Sequence, residues 1–193
     1  MRGKPHPWVS RGGVKLAHGL DHFALDPRDR ICLDIGASTG GFTDVLLNRG
    51  AARVHAVDVG RGQLDWRLRQ DARVVVLEGV NARYLTADQV PEAIEFIVCD
   101  TSFIGLETVL PRSLSLAARG AKLIALIKPQ FEVGRGRVGK GGVVSDAALH
   151  AEVCDRIAGW LGARDGWTVR GITESPIQGP KGNREFLIAA EHA

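Results

Sequence analysis

Arg30-Ile-Cys-Leu-Asp-Ile-Gly-Ala-Ser-Thr-Gly-Gly-Phe42 is an apolar run that breaks into a glycine-rich turn and continues into a helical pattern over 42–48. The next apolar run, 54–59, carries an acid, Asp58, near its end. A strand, a glycine-rich turn and a helix, followed by a carboxylate after the second strand, is how α/β proteins hold a nucleoside. The glycines let backbone approach the ligand, and the acid accepts ribose hydroxyls. Outward from this stretch, apolar runs at 31–35, 54–59, 74–77, 96–100, 123–128, 168–173 and 186–190 read as strands. Helical patterns at 42–48, 63–69, 106–117 and 147–161 lie between most of them, the last with Ser145 as its expected N-cap. Short, continuously apolar strands separated by helices predict an α/β fold: a mostly parallel sheet covered on both faces. The last two strands are joined without room for a helix, which predicts an antiparallel hairpin at the C-terminal end.

The spacing of the turn selects among nucleosides. A dinucleotide loop requires G-x-G-x-x-G, with backbone amides and a helix N-terminus facing a pyrophosphate. Here the glycines fall at Gly36, Gly40 and Gly41, and a carboxylate, Asp34, precedes them. That carboxylate repels a diphosphate but suits a ligand bearing an ammonium and a sulfonium. The turn is therefore expected to hold S-adenosylmethionine through Asp34, Gly36, Ser38, Thr39, Gly40, Gly41 and Phe42. Asp58, Gln63, Asn81 and Asp100 complete the expected set.

Bulk properties narrow the classes. With 193 residues, 45% hydrophobic and 24% charged, the chain is one ordinary globular domain. A net charge of +3 is compatible with a polyanionic partner. Arg2, Lys4, Arg11 and Lys15 cluster near the start, and Arg135, Arg137 and Lys140 share the loop Gly134-Arg-Gly-Arg-Val-Gly-Lys-Gly-Gly142. That loop reads either as a flexible surface segment or as a lid that contacts phosphate. Cys32, Cys99 and Cys154 form no C-x-x-C pair, so no zinc site is expected, and a reducing, cytoplasmic setting fits. No apolar stretch follows the N-terminus as in a signal peptide, and the longest apolar run, 123–127, is far short of the ~20 residues that span a bilayer.

Polar residues at the carboxyl ends of the strands are the candidates for chemistry. Asp34, Asp58, Asn81, Asp100 and Lys128 stand there, with Glu185 in the final hairpin. Lys128 follows Leu123-Ile-Ala-Leu-Ile127, so a buried strand delivers an ammonium into the cleft, with Asp100 as its natural partner. The segment Cys99-Asp-Thr-Ser-Phe103 lacks the Asn/Asp-Pro-Pro-aromatic signature of amino-group methyltransferases, and Cys99 lacks the Pro-Cys context of a cytosine nucleophile. A Lys–Asp pair suits removal of a proton from a hydroxyl. Lys15 is expected to join it if the N-terminal segment folds across the cleft.

The chain resembles the methyltransferase domain of the TlyA family, ribosomal RNA 2′-O-methyltransferases often called hemolysins, and more distantly FtsJ. The matching segments include Val9-Ser-Arg-Gly-Gly-Val-Lys-Leu16, Leu33–Asp44, Ala56-Val-Asp-Val-Gly-Arg-Gly-Gln-Leu64, Val80-Asn-Ala-Arg-Tyr84, Asp100-Thr-Ser-Phe-Ile104, Ile127-Lys-Pro-Gln-Phe-Glu132, Gly139-Lys-Gly-Gly-Val-Val144 and Gly182-Asn-Arg-Glu-Phe186. The resemblance implies a Rossmann-like class I methyltransferase with a seven-stranded, mostly parallel sheet and an antiparallel C-terminal hairpin strand. It also implies a tetrad of Lys15, Asp100, Lys128 and Glu185, with Lys128 as the base for a ribose 2′-hydroxyl, and no metal. The expected partner is ribosomal RNA or a ribosomal subunit, with Arg11, Arg135, Arg137 and Lys140 as candidate RNA contacts. Family members usually begin with an S4-type RNA-binding domain. Here residues 1–9 read as the linker that follows such a domain, and 10–193 as the methyltransferase domain. Two other readings stand beside this one. One is a membrane-active hemolysin, for which no amphipathic or spanning element is found; the other is a nucleoside-binding module or a methyltransferase acting on a non-RNA acceptor.

Overall fold

The computed structural model describes residues 6–193, with the backbone but not the side chain of Arg135. The expectations for Arg2, Lys4 and the first five linker residues lie outside the described residues. One seven-stranded sheet forms the centre, with strand order β3-β2-β1-β4-β5-β7-β6. β1 (Ile31–Ile35) pairs in parallel with β2 (Arg53–Asp58) and β4 (Ile94–Cys99). β3 (Val74–Glu78) and β5 (Ala117–Ile127) extend the parallel set on either side. β7 (Phe186–His192) inserts antiparallel between β5 and β6 (Trp167–Glu174), so the hairpin forms as expected and its second strand is the inner one. The strand order reverses at β1, so the glycine-rich turn sits at the topological switch point where such sheets bind ligands.

Alternation along the strands divides the core in two. Leu33, Ile35, Ile97, Cys99, Leu123, Ala125 and Ile127 face α4 (Leu106–Leu114) and α6 (Ala147–Gly162). Cys32, Phe96, Val98, Ile124, Leu126, Leu187 and Ala189 face α1 (Gly12–Phe23) and α2 (Gly41–Asn48). Period two therefore places Asp34, Asp100, Lys128 and Glu185 in line with the α1/α2 face, because each continues that face's series on its own strand. α1 carries Lys15 across the same face.

Several boundaries differ from the sequence reading. α1 has no counterpart in it. The helix expected over 63–69 is a single turn, α3 (Trp66–Arg69), capped by Asp65, and the one expected over 106–117 stops at Leu114. The strand expected over 123–128 begins at Ala117. The N-cap of α6 is Asp146 rather than Ser145: its carboxylate accepts the Ala148 N–H at 2.8 Å, so the cap falls one residue later.

Candidate active site

The turn after β1 is held from both sides. The Gly36 and Ala37 N–H groups both donate to the Val57 carbonyl, at 2.9 and 3.1 Å, and the Asp100 N–H donates to the Ile35 carbonyl at 2.9 Å. Gly36 has φ +82°, and a Cβ there would lie 2.6 Å from the Asp100 carbonyl oxygen, so only glycine fits between the ends of β1 and β4. Asp58 accepts the N–H groups of Ser38 at 2.8 Å and Gly60 at 2.7 Å, fixing Ser38 at φ +48°. The second acid therefore shapes the turn as well as standing beside it. Gln63 reaches the Ser38 hydroxyl at 3.4 Å, and Asn81 caps the short turn Ala82–Tyr84.

Asp34 corrects one expectation. Its side chain does not open into the cleft. It is wholly buried under the turn, where the Thr43 hydroxyl donates to Oδ2 at 2.6 Å and Oδ1 has no partner. Burial, aided by Asp100 and Asp58, pushes its carboxyl up to about 7, against the pull of the Thr43 hydrogen bonds.

A cleft of about 1180 Å³ opens at the carboxyl ends of β1, β4 and β5. It exceeds the upper range of ordinary ligand sites, ~1,000 Å³, and so has room for a nucleoside cofactor together with an acceptor. Gly36, Ser38, Thr39, Gly41 and Phe42 line one wall, and Lys15, Asp100, Lys128 and Glu185 all reach it from four different elements. Lys128 and Asp100 form an ion pair, and the Lys128 ammonium also donates to the Ser102 hydroxyl at 3.3 Å. Lys15, nearly buried, meets Glu185 at 2.5 Å, and the Gln130 amide donates to the other Glu185 oxygen at 3.5 Å. Each lysine thus has its own carboxylate. Asp58, Gln63, Asn81, Gly40 and Asp34 lie outside the lining of this cleft: the first three flank the turn on the β2/β3 side, and Gly40 packs on Leu64 and Leu68.

Residues beyond the sequence reading also line the cleft. Phe103, 89% exposed and at φ +65°, packs against Phe131 with ring centroids 4.9 Å apart and the planes tilted by 49°. Ser102 and Gln130 contact the tetrad as described. The signal for all four was present, since they fall inside Asp100-Thr-Ser-Phe-Ile104 and Ile127-Lys-Pro-Gln-Phe-Glu132. The basic loop is tied down: Asn183 Oδ1 accepts the Val144 N–H at 3.0 Å, its Nδ2 donates to the Gly142 carbonyl at 3.0 Å, and Lys181 donates to the Gly141 carbonyl at 2.8 Å. Arg11 lines the cleft and donates to the Gln178 carbonyl at 2.7 Å. Arg137 instead pairs with Glu152 on α6, and Lys140 is exposed outside the lining.

The turn and the carboxylates converging on it suit a cationic nucleoside. Gly36 leaves backbone bare where a ligand approaches, the Asp58 carboxylate stands at the end of β2, and Asp58 and Asp100 add negative charge near the turn. S-adenosylmethionine, with a ribose, an ammonium and a sulfonium, matches that set.

Sheet order, switch-point turn and cleft define a Rossmann-like methyltransferase fold of class I. An O-methyltransferase from Bacillus cereus solved with S-adenosylhomocysteine shares that fold at TM-score 0.62 and 18% identity, covering 97% of this chain and 84% of its own. Residues 8–192 match the FtsJ-like methyltransferase family model, and the chain belongs to that family. It is 52% identical over 182 residues to the 16S/23S rRNA (cytidine-2′-O)-methyltransferase TlyA of Mycobacterium tuberculosis, covering 94% of this chain and 67% of that protein. A solved chain from Lactococcus lactis that carries the hemolysin label is 44% identical at TM-score 0.91, covering 95% of this chain and 88% of its own. Among the described residues no helix is long and apolar enough to cross a membrane.

Proposed function

We propose that this chain methylates the 2′-hydroxyl of a ribose in ribosomal RNA, with S-adenosylmethionine as donor and Lys15, Asp100, Lys128 and Glu185 as the catalytic tetrad. The observation that carries the reading is the Lys128–Asp100 pair in a cleft that the glycine-rich turn also lines. The ribosomal substrate rests on the names of relatives such as the M. tuberculosis enzyme. The cofactor supplies an electrophilic methyl carbon on a sulfonium. The chain's own residues do the remainder. Lys128, as the free amine, would take the hydroxyl proton onto Nζ and leave the ribose oxygen nucleophilic. The Asp100 carboxylate and the Ser102 hydroxyl hold the resulting ammonium in place. Lys15 and Glu185, locked together and braced by Gln130, offer a donor and an acceptor that fix the ribose. Asp58 accepts ribose hydroxyls of the cofactor after yielding the Ser38 and Gly60 amides or sharing them. The exposed Phe103–Phe131 pair offers a face to an unstacked base. The chain's residues would contribute chiefly by positioning the ribose hydroxyl toward the bound donor.

Lys128→Ala tests the reading. Methyl transfer to ribosomal subunits, followed by mass mapping of ribose methylation, is expected to vanish, while calorimetry with S-adenosylmethionine changes little. Transfer that persists in the variant would remove Lys128 from the mechanism.

A further inference from the structure

Most arginines on the described surface are neutralised by a carboxylate or bonded to a carbonyl. Arg61, Arg83 and Arg119 are the described arginines whose guanidinium has neither a hydrogen bond nor an ion pair. Two of these three stand at one place, the carboxyl ends of β2 and β3. Arg61 lies over Gly79, where a Cβ would fall 2.5 Å from its Nε. Arg83 stacks over the Tyr84 ring at 5.0 Å. The same rim carries exposed rings: Tyr84 is 68% and Trp66 65% exposed, two of the four large hydrophobic side chains exposed among the described residues. Trp66 opens α3, which is fastened to this rim because Arg69 pairs with Glu78, the residue before Gly79. Glu78 also accepts the amides of Gly62, Gln63 and Leu64. The Arg69 hydrogen bond, helped by these amides, holds its carboxyl down at about 2, so this acid is already spent.

We propose that Trp66, Tyr84, Arg61 and Arg83 form a second RNA contact, which takes an unpaired strand flanking the target nucleotide. The proposal rests on the RNA reading above and adds a surface to it. Exposed rings offer stacking platforms for unpaired bases, and unpaired guanidinium groups match phosphates. A duplex has its bases stacked inside and offers no faces to the rings. β3 lies four strands from β5, which delivers Lys128, about 19 Å at ~4.8 Å per strand. At ~3.4 Å per stacked nucleotide, that distance is on the order of six nucleotides from Lys128.

The test measures binding separately from catalysis. Single-stranded RNAs of about 6 and about 12 nucleotides, bracketing known site sizes, are titrated by fluorescence anisotropy beside a fully paired hairpin. The expected result is a preference for the longer single strand. Trp66→Ala and Tyr84→Ala each weaken that binding roughly 5- to 100-fold, and Tyr84→Phe retains it. Arg83→Gln lowers the slope of log affinity against log salt by about 0.7. S-adenosylmethionine affinity and melting temperature stay at wild-type values. Equal affinity of wild type and both ring variants overturns the surface, as does a preference for the hairpin or no binding of either strand. Loss of binding in the ring variants upholds the surface even where no methyl is transferred. Normal methylation by the wild type alongside ring variants that bind normally leaves the methyltransferase reading standing and sinks only the surface.

Discussion

Asp34 is a carboxyl that the folded protein holds against its own charge. Its pKa of about 7 lies above the ordinary 3.8, so between those values the folded state binds more protons than the unfolded one. Its contribution therefore weakens stability as pH rises from about 4 to about 7 and is flat above that, by at most ~4 kcal/mol. Asp34→Asn keeps an oxygen for the Thr43 hydroxyl and removes the charge. The difference in unfolding free energy between variant and wild type, from urea melts at several pH values, is expected to grow in the variant's favour across that window; a difference independent of pH would refute the burial argument. The Lys15–Glu185 pair behaves in the opposite way. Both charges are nearly or wholly buried, so removing one strands the other. Lys15→Met or Glu185→Leu alone is expected to cost ~3–5 kcal/mol, while the double change recovers most of it and abolishes activity. A double-mutant cycle with no coupling would deny the pair its structural role. Asp100, Lys128 and Glu185 were legible because each ends or begins an apolar run. The burial of Asp34 was not, since a residue at the end of a strand can point toward ligand or core, and only Thr43 on α2 decides which.

α1 shows what hides an element from its own sequence. Three glycines, Gly12, Gly13 and Gly19, weaken its helical signal, each by ~1 kcal/mol relative to alanine. Two of them serve packing: a Cβ on Gly13 would lie 2.4 Å from the Trp8 ring, and one on Gly19 would press Ile124 at 3.4 Å. The helix survives because Leu16 and Leu20 bury fully against the sheet. The basic loop was legible only as glycine-rich and charged, which left both a free surface segment and a phosphate-contacting lid open. Asn183 removes the first, since its buried amide bonds the Val144 N–H and the carbonyls of Gly142 and Pro180. Asn183→Ala is expected to destabilise the protein by ~2–3 kcal/mol. Hydrogen exchange of the Val144 amide should accelerate well before the strand amides change. Unchanged protection at Val144 would show that the clamp holds nothing.

Across the whole molecule, β7 is the strand on which both the sheet and the site depend. It pairs with β5 through six residue pairs and with β6 through seven, and its leading end delivers Glu185 to Lys15. A chain ending at Glu174 therefore exposes the edge of β5, detaches β6 and leaves Lys15 without its counter-charge. It is expected to show no cooperative thermal transition, and a sharp melt from such a truncation would mean the parallel half folds alone. The sequence by itself determined the class of fold and the placing of the glycine-rich turn, because both are local: short, continuously apolar runs make strands, and a glycine-rich turn with an acid two elements on needs no distant partner to be recognised. The tertiary structure alone decided how the second pair of charges, distant in the chain, meets. Lys15 and Glu185 stand 170 positions apart, and their pairing follows from α1 crossing the sheet and β7 entering beside β5. Propensity and spacing carry no information about such contacts, since they are fixed only when two helices and a hairpin bury their apolar faces together.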